Sequence, residues 1–308
     1  MRIITLTFNP AIDIHLKTDK FKICGENFVE TVSRENGGKG VNASRALLSA
    51  ACDNIAIVAV GADNGADFIG SLKKDGVNAI PVWVDGRIRE NFTIKSSEGE
   101  TRISFSGFSC GDEIFDEAEK IVGETSEKDI IAFMGSLPPG TSVSRAIETL
   151  KKFRKGGAKI VVDSRSLSFD LIEDIKPWLV KPNEEEAERY FGIFPRDEKV
   201  AASISYLMRE KGVENAVVSL GKRGAVLTCA SGTYYADAPK IDVLSTIGAG
   251  DSFIAGFIAG YSAGYDEEKT FKYASAFGAA ACMREGTLPP LKKDADKIFE
   301  KLSIVKIK

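Results

Sequence analysis

The run Asp129-Ile130-Ile131-Ala132-Phe133, a helical pattern near 142–155 and the run Lys159-Ile160-Val161-Val162 together decide the fold class. Two short β-branched runs separated by one helix-length segment are the βαβ signature of a parallel sheet, whose strands stay apolar because helices cover both faces. Toward the C-terminus the alternation continues through Leu179-Val180 and Ala216-Val217-Val218 into a helical final third. Toward the N-terminus, Val41 to Ala51 and Gly65 to Lys74 read as helices on either side of the strand Ile55-Ala56-Ile57-Val58. The expectation is a single α/β domain spanning residues 1–308, with a mostly parallel sheet between two helical layers.

Two segments break this rhythm. Asn91-Phe92-Thr93-Ile94 and Arg102-Ile103-Ser104-Phe105 alternate apolar and polar residues around the turn-like Ser97-Glu98-Gly99-Glu100, as a hairpin with one dry face does. Similar alternation in Ile12-Asp13-Ile14-His15-Leu16 and near Phe28 to Val32 adds strands to the same small sheet. A β-sheet lid built from segments near 12–34 and 88–108 is expected over a ligand cleft.

The chain has 308 residues, 44% of them hydrophobic, and a formal net charge of -3, which offers no basic field for nucleic acid or an anionic membrane. Its most apolar stretches are too short to span a bilayer, and the start MRIITLTFNP reads as a strand rather than a signal peptide, so a cytoplasmic protein is expected. The five cysteines are scattered and never spaced C-x-x-C, which suggests reduced thiols rather than a disulfide framework or a zinc site. One histidine, His15, leaves little room for Ser-His or Cys-His mechanisms.

The chemistry concentrates in Ser245-Thr246-Ile247-Gly248-Ala249-Gly250-Asp251, after which Phe253, Ile254, Phe257, Ile258 and Tyr261 recur at helical spacing. A helix beginning at Asp251 presents unpaired N–H groups and a positive dipole end, and the glycines before it let an anion approach the backbone. Asp251 beside a phosphate can take a proton from an attacking alcohol. Equally, it can simply cap the helix. No G-x-x-x-x-G-K-[ST] run occurs, so nucleotide use through a P-loop is excluded.

Ser245-Thr246-Ile247-Gly248-Ala249-Gly250-Asp251-Ser252-Phe253-Ile254-Ala255-Gly256 resembles the C-terminal signature of the ribokinase-like (PfkB) sugar kinases. The N-terminal companion is present as Gly37-Gly38-Lys39-Gly40-Val41-Asn42-Ala43-Ser44, after Asn9-Pro10-Ala11-Ile12-Asp13. The resemblance implies a three-layer αβα core with a small β-sheet lid, ATP and Mg²⁺ as cofactors, and a sugar as acceptor. It assigns Asp251, with Gly248, Ala249 and Gly250, to catalysis, and Asp13, Gly38, Lys39 and Asn42 to the substrate. Lys181, Asn183 and Glu186 of Lys181-Pro182-Asn183-Glu184-Glu185-Glu186 match a segment that organises phosphates and Mg²⁺, the metal being reached through phosphates and water rather than by direct protein ligands. Ser219, Gly221 and Gly224 match the nucleotide-binding strand and turn.

Within the family the phrases Thr7-Phe8-Asn9-Pro10-Ala11-Ile12-Asp13, Phe105-Ser106-Gly107-Phe108 and Gly135-Ser136-Leu137-Pro138 look most like the branch of 1-phosphofructokinases and tagatose-6-phosphate kinases. That implies a phosphorylated hexose, with fructose 1-phosphate first, tagatose 6-phosphate or fructose 6-phosphate as alternatives, and a non-catalytic sugar-phosphate sensor as a remoter one. Arg89 matches the branch's phosphate-binding arginine. The same segment departs from the pattern, with Ile88 for threonine and Thr93 for lysine, and Lys95 and Arg102 are the nearby cations that can supply the missing charge. An exposed lid edge further suggests a homodimer through the lid.

Overall fold

A computed structural model describes residues 1–308. The first half of the chain forms β1 (Ile3–Thr7), β2 (Ala11–Lys17), β3 (Glu30–Gly37), α1 (Lys39–Ser49), β4 (Ile55–Gly61), α2 (Gly65–Lys74), β5 (Asn78–Val84), β6 (Arg89–Ser96), β7 (Gly99–Ile103), α3 (Glu113–Val122), β8 (Ile130–Met134) and α4 (Val143–Lys155). The second half forms β9 (Lys159–Asp163), α5 (Phe169–Glu173), β10 (Leu179–Val180), α6 (Glu184–Phe191), α7 (Glu198–Glu210), β11 (Asn215–Ser219), β12 (Ala225–Cys229), β13 (Gly232–Ala236), α8 (Ala249–Ser262), α9 (Glu267–Cys282), α10 (Lys292–Lys301) and β14 (Ile304–Lys306).

Ten strands form one sheet in the order β14-β13-β12-β11-β10-β9-β8-β1-β4-β5. The run from β11 to β5 is parallel, and β12, β13 and β14 add an antiparallel edge. Successive residues of each central strand feed opposite layers. Ile131, Phe133, Ile160 and Val162 pack with Phe68, Phe115, Ile147 and Ile204 of α2, α3, α4 and α7. Ile130, Ala132, Met134 and Val161 pack on the other face with Leu47, Phe253, Phe257 and Phe271 of α1, α8 and α9. This period-two division is why the strand runs are apolar throughout.

Helix α8 is apolar on every side because it lies between neighbours rather than on the surface. Gly256 permits its close approach to α9, since a Cβ there would stand 2.6 Å from the Cβ of Phe277 and 3.0 Å from the Cα of Ala274. The remaining four strands form a separate sheet in the order β3-β2-β6-β7, with β2 and β6 parallel at its centre. The hairpin β6–β7 turns at residues 97–98, and its second strand ends at Ile103, two residues short of the expected limit. Both β2 and β6 leave the large sheet's parallel-strand ends, so the small sheet stands beside the loops where α/β folds bind ligands.

Candidate active site

The C-terminal ends of β1, β8, β9, β10 and β11 and the first turns of α1 and α8 converge on one region. Helix α8 begins at Ala249, not at the expected Asp251, because Gly248 adopts the left-handed conformation at φ 76° and closes the turn. Asp251 therefore sits inside the first turn and makes no capping bond. The amides of Gly250 and Asp251 donate to no backbone or side-chain acceptor, leaving the positive end of α8 open toward an anion.

Asp251 is 6% exposed, and its Oδ2 accepts a hydrogen bond from Asn42 Nδ2 at 2.9 Å, which joins the first turns of α8 and α1. Burial pushes the Asp251 carboxyl up to about 6, with the charge of Asp163 adding to the rise and Lys39, the Asn42 bond and Lys181 opposing it. Asn42 Oδ1 is buried and unpartnered, so it can accept from a hydroxyl brought beside Asp251.

Lys39, the first residue of α1, donates from Nζ to Asp163 Oδ1 at 2.5 Å and lies 3.5 Å from Glu186. Lys181, at the end of β10, is buried with Nζ 3.9 Å from Asp163 Oδ2, and the same Nζ lies 3.1 Å from where a Cβ on Gly250 would stand. Burial of Asp163 works against its charge, but Lys39 and Lys181 outweigh that and hold its carboxyl below the ordinary range. Burial also opposes the charge on Lys39, yet Asp163, Glu186 and Asp251 raise its pKa above the usual value. Two neighbouring carboxyls thus diverge: Asp163 is fixed as an anion and Asp251 is poised to exchange a proton, the separation that acid–base chemistry requires.

Asn183 caps α6 by accepting from the Glu186 amide while Glu186 Oε2 accepts from the Asn183 amide, so both belong to a capping box as well as to this end of the sheet. Ser219, ending β11, donates from its amide and Oγ to Pro182 O, tying the β11 turn to the segment after Lys181. Gly221 and Gly224 follow in that turn, both at positive φ.

On the small sheet, Asp13 Oδ1 accepts from Asn91 Nδ2 at 3.0 Å, and Asn91 Oδ1 accepts from the Phe105 amide. Gly37 and Gly38 run beneath, and Gly38 is the residue from which α1 starts. Arg89 begins β6 and donates to the carbonyls of Pro10 at 3.2 Å, Phe105 at 2.9 Å and Asn9 at 3.0 Å. Thr93 is buried, and Arg102 stands opposite it in the hairpin register. Sequence reasoning missed Asp163, although a carboxylate ending an apolar parallel strand is the signal that would have found it.

The residues fit a nucleotide and its metal. Open helix amides and the Nζ of Lys181 suit phosphate oxygens, while Mg²⁺ takes few protein ligands and keeps several waters, which the single partly exposed carboxylate of Glu186 can hold.

The model of the pfkB family of carbohydrate kinases matches residues 7–294. The 1-phosphofructokinase of Haemophilus influenzae is 30% identical over 311 residues, covering 99% of this chain and 98% of that protein. The tagatose-6-phosphate kinase of Staphylococcus epidermidis is 27% identical over 313 residues, covering 99% and 100%. Among solved structures, phosphofructokinase-2 from Escherichia coli in complex with substrates and products superposes with a TM-score of 0.87 at 25% identity, covering 98% of this chain and 99% of that one.

Proposed function

The chain belongs to the pfkB family of carbohydrate kinases, and from that premise we propose that it transfers the terminal phosphoryl group of ATP to a phosphorylated hexose, fructose 1-phosphate first among the candidates, to give fructose 1,6-bisphosphate. One observation carries the reading: a buried carboxyl held near pH 6, Asp251, lies in the same helical turn as two open amides. Asp251 takes the proton of the attacking primary hydroxyl, while Asn42 holds that hydroxyl beside it. The amides of Gly250 and Asp251 stabilise charge on the phosphoryl group in transit, with Gly248 and Ala249 shaping the turn that presents them. When bound, ATP would supply that group, and Mg²⁺, held through water by Glu186, would neutralise charge on the phosphate oxygens.

Asp163 pairs with Lys39 and Lys181 and directs them toward the transfer path, so that positioning and electrostatics carry most of the rate. Lys181, Asn183, Glu186, Ser219, Gly221 and Gly224 form the nucleotide side. Asp13, Gly38, Lys39, Asn42 and Arg89 form the sugar side, beneath the small sheet acting as a lid that excludes water.

Tagatose 6-phosphate stands second, on the strength of the Staphylococcus relative. A coupled ADP-release assay across fructose 1-phosphate, tagatose 6-phosphate, fructose 6-phosphate and the free sugars tests the choice. Arg89→Ala should lower kcat/KM for the preferred phosphosugar by about a hundredfold, the worth of a strong charge-assisted pair. Turnover of free sugars alone would overturn the phosphohexose reading.

We further propose a homodimer through the lid. The exposed side chains of Val32 (64%) on β3 and Ile103 (42%) on β7, with Phe28 (81%) two residues before β3, give apolar surface that a second copy would cover.

A further inference from the structure

Arg89 cannot by itself neutralise a phosphate dianion. Its guanidinium has five N–H donors, and the carbonyls of Asn9, Pro10 and Phe105 occupy three nitrogens' worth of directions. Thr93, four residues on along β6, brings no charge. Lys95 and Arg102 lie further along the hairpin, both exposed, and Arg102 faces Thr93 rather than Arg89.

A chain of hydrogen bonds leads from Arg89 to a different loop. Its Nη2 donates to Asn9 O at 3.0 Å; Asn9 Nδ2 donates to Leu137 O at 3.2 Å; and the Leu137 amide donates to Ser166 Oγ at 3.0 Å. The residue before Ser166 is Arg165. It leaves β9 only two positions after Asp163, the carboxylate that holds Lys39, so its loop opens on the sugar side of the site. Arg165 is exposed, and no carboxylate in the structure pairs with it. The two arginines are close enough to act on each other: burial lowers the Arg89 pKa, the Arg165 charge lowers it further, and Asp13 only partly offsets them. Two like charges gathered at the end of a substrate cleft, neither in a salt bridge and only partly offset by Asp13, make a site that an anion would relieve.

We propose that Arg165 is a specificity-determining residue which, with Arg89, clamps the phosphate of the sugar substrate and supplies the second positive charge that Arg89 alone lacks. This rests on the phosphohexose reading above. The ligand is a sugar phosphate monoester; a free sugar gains nothing from Arg165.

The test compares wild type with Arg165→Ala and Arg165→Lys, checked for equal melting temperature, using fructose 1-phosphate, tagatose 6-phosphate, fructose 6-phosphate and fructose in the ADP-release assay. Calorimetry with the preferred phosphosugar measures binding directly. Arg165→Ala should raise KM and Kd for that phosphosugar at least tenfold, with a smaller change in kcat and in the KM for ATP, and Arg165→Lys should recover part of the loss. An active wild type whose KM and Kd do not move in Arg165→Ala overturns the role of Arg165 and leaves the phosphohexose reading standing. A wild type that phosphorylates fructose but none of the phosphosugars overturns the phosphohexose reading and the Arg165 role together.

Discussion

Asn42 Nδ2 and Asp251 Oδ2 lie 2.9 Å apart across a separation of 209 residues, and both side chains are buried. This bond joins two helix starts that the sheet brings together, and it leaves the other oxygen of Asp251 available to a substrate hydroxyl. Asp251→Asn keeps the size and the polar contact but removes the base. It should lower kcat by at least a thousandfold, in keeping with the loss of a general base held in a phosphoryl-transfer site, while the ATP dissociation constant changes by less than about threefold. Turnover within tenfold of wild type would remove Asp251 from the mechanism.

The pH dependence follows from the same burial. Asp251 works as a base only when ionised, so kcat/KM should fall on the acid side with a midpoint near its value of about 6. The stability consequence has the opposite sense to that of a salt-bridged aspartate. Because the folded state raises this pKa from 3.8 to about 6, ionised Asp251 costs stability, and the cost grows as pH rises between those values and stays constant above them. Asp251→Asn should therefore stabilise the fold at pH 8, by up to about 3 kcal/mol, and add little at pH 4, as thermal unfolding at the two pH values would show. Equal melting-temperature changes at both would contradict it.

Asp163 carries the reverse prediction. Its carboxylate lies between Lys39 and Lys181, and its pKa is depressed, so its contribution is present above the ordinary carboxylate pKa and lost as pH falls through the lowered one. Asp163→Asn leaves the buried Lys181 without its carboxylate partner. At pH 7 a loss of about 3 kcal/mol is expected in urea unfolding, together with a lower kcat. The stability difference should shrink below pH 4.

The lid proposal is checked by mass. Val32→Glu, on an exposed position of β3, should convert a dimer to a monomer in light scattering without lowering the melting temperature of the subunit. A wild-type monomer at micromolar concentration would end the proposal.

Local pattern alone determined much of this protein. Apolar runs of strand length, spaced by helix-length segments, have only one economical burial, a parallel sheet between helices, and the strands 130–134, 159–163 and 215–219 lie where those runs are. The glycine turn before Asp251 likewise announced a helix start with open amides, because unpaired amides at such a turn are a property of the backbone. The sequence left Asp251 divided between a cap and a base, and it was silent about Asp163 and Arg165. Those roles depend on which distant groups stand within a few ångströms: the burial that raises the Asp251 carboxyl and the Asn42 bond that holds it, the two lysines that fix Asp163 as an anion, and the loop 136–138 that ties Ser166, next to Arg165, to the residues around Arg89. Periodicity encodes which face of an element is buried. The proton affinity of a carboxyl and the company of an arginine are set by through-space distance and desolvation, which arise only when the elements pack.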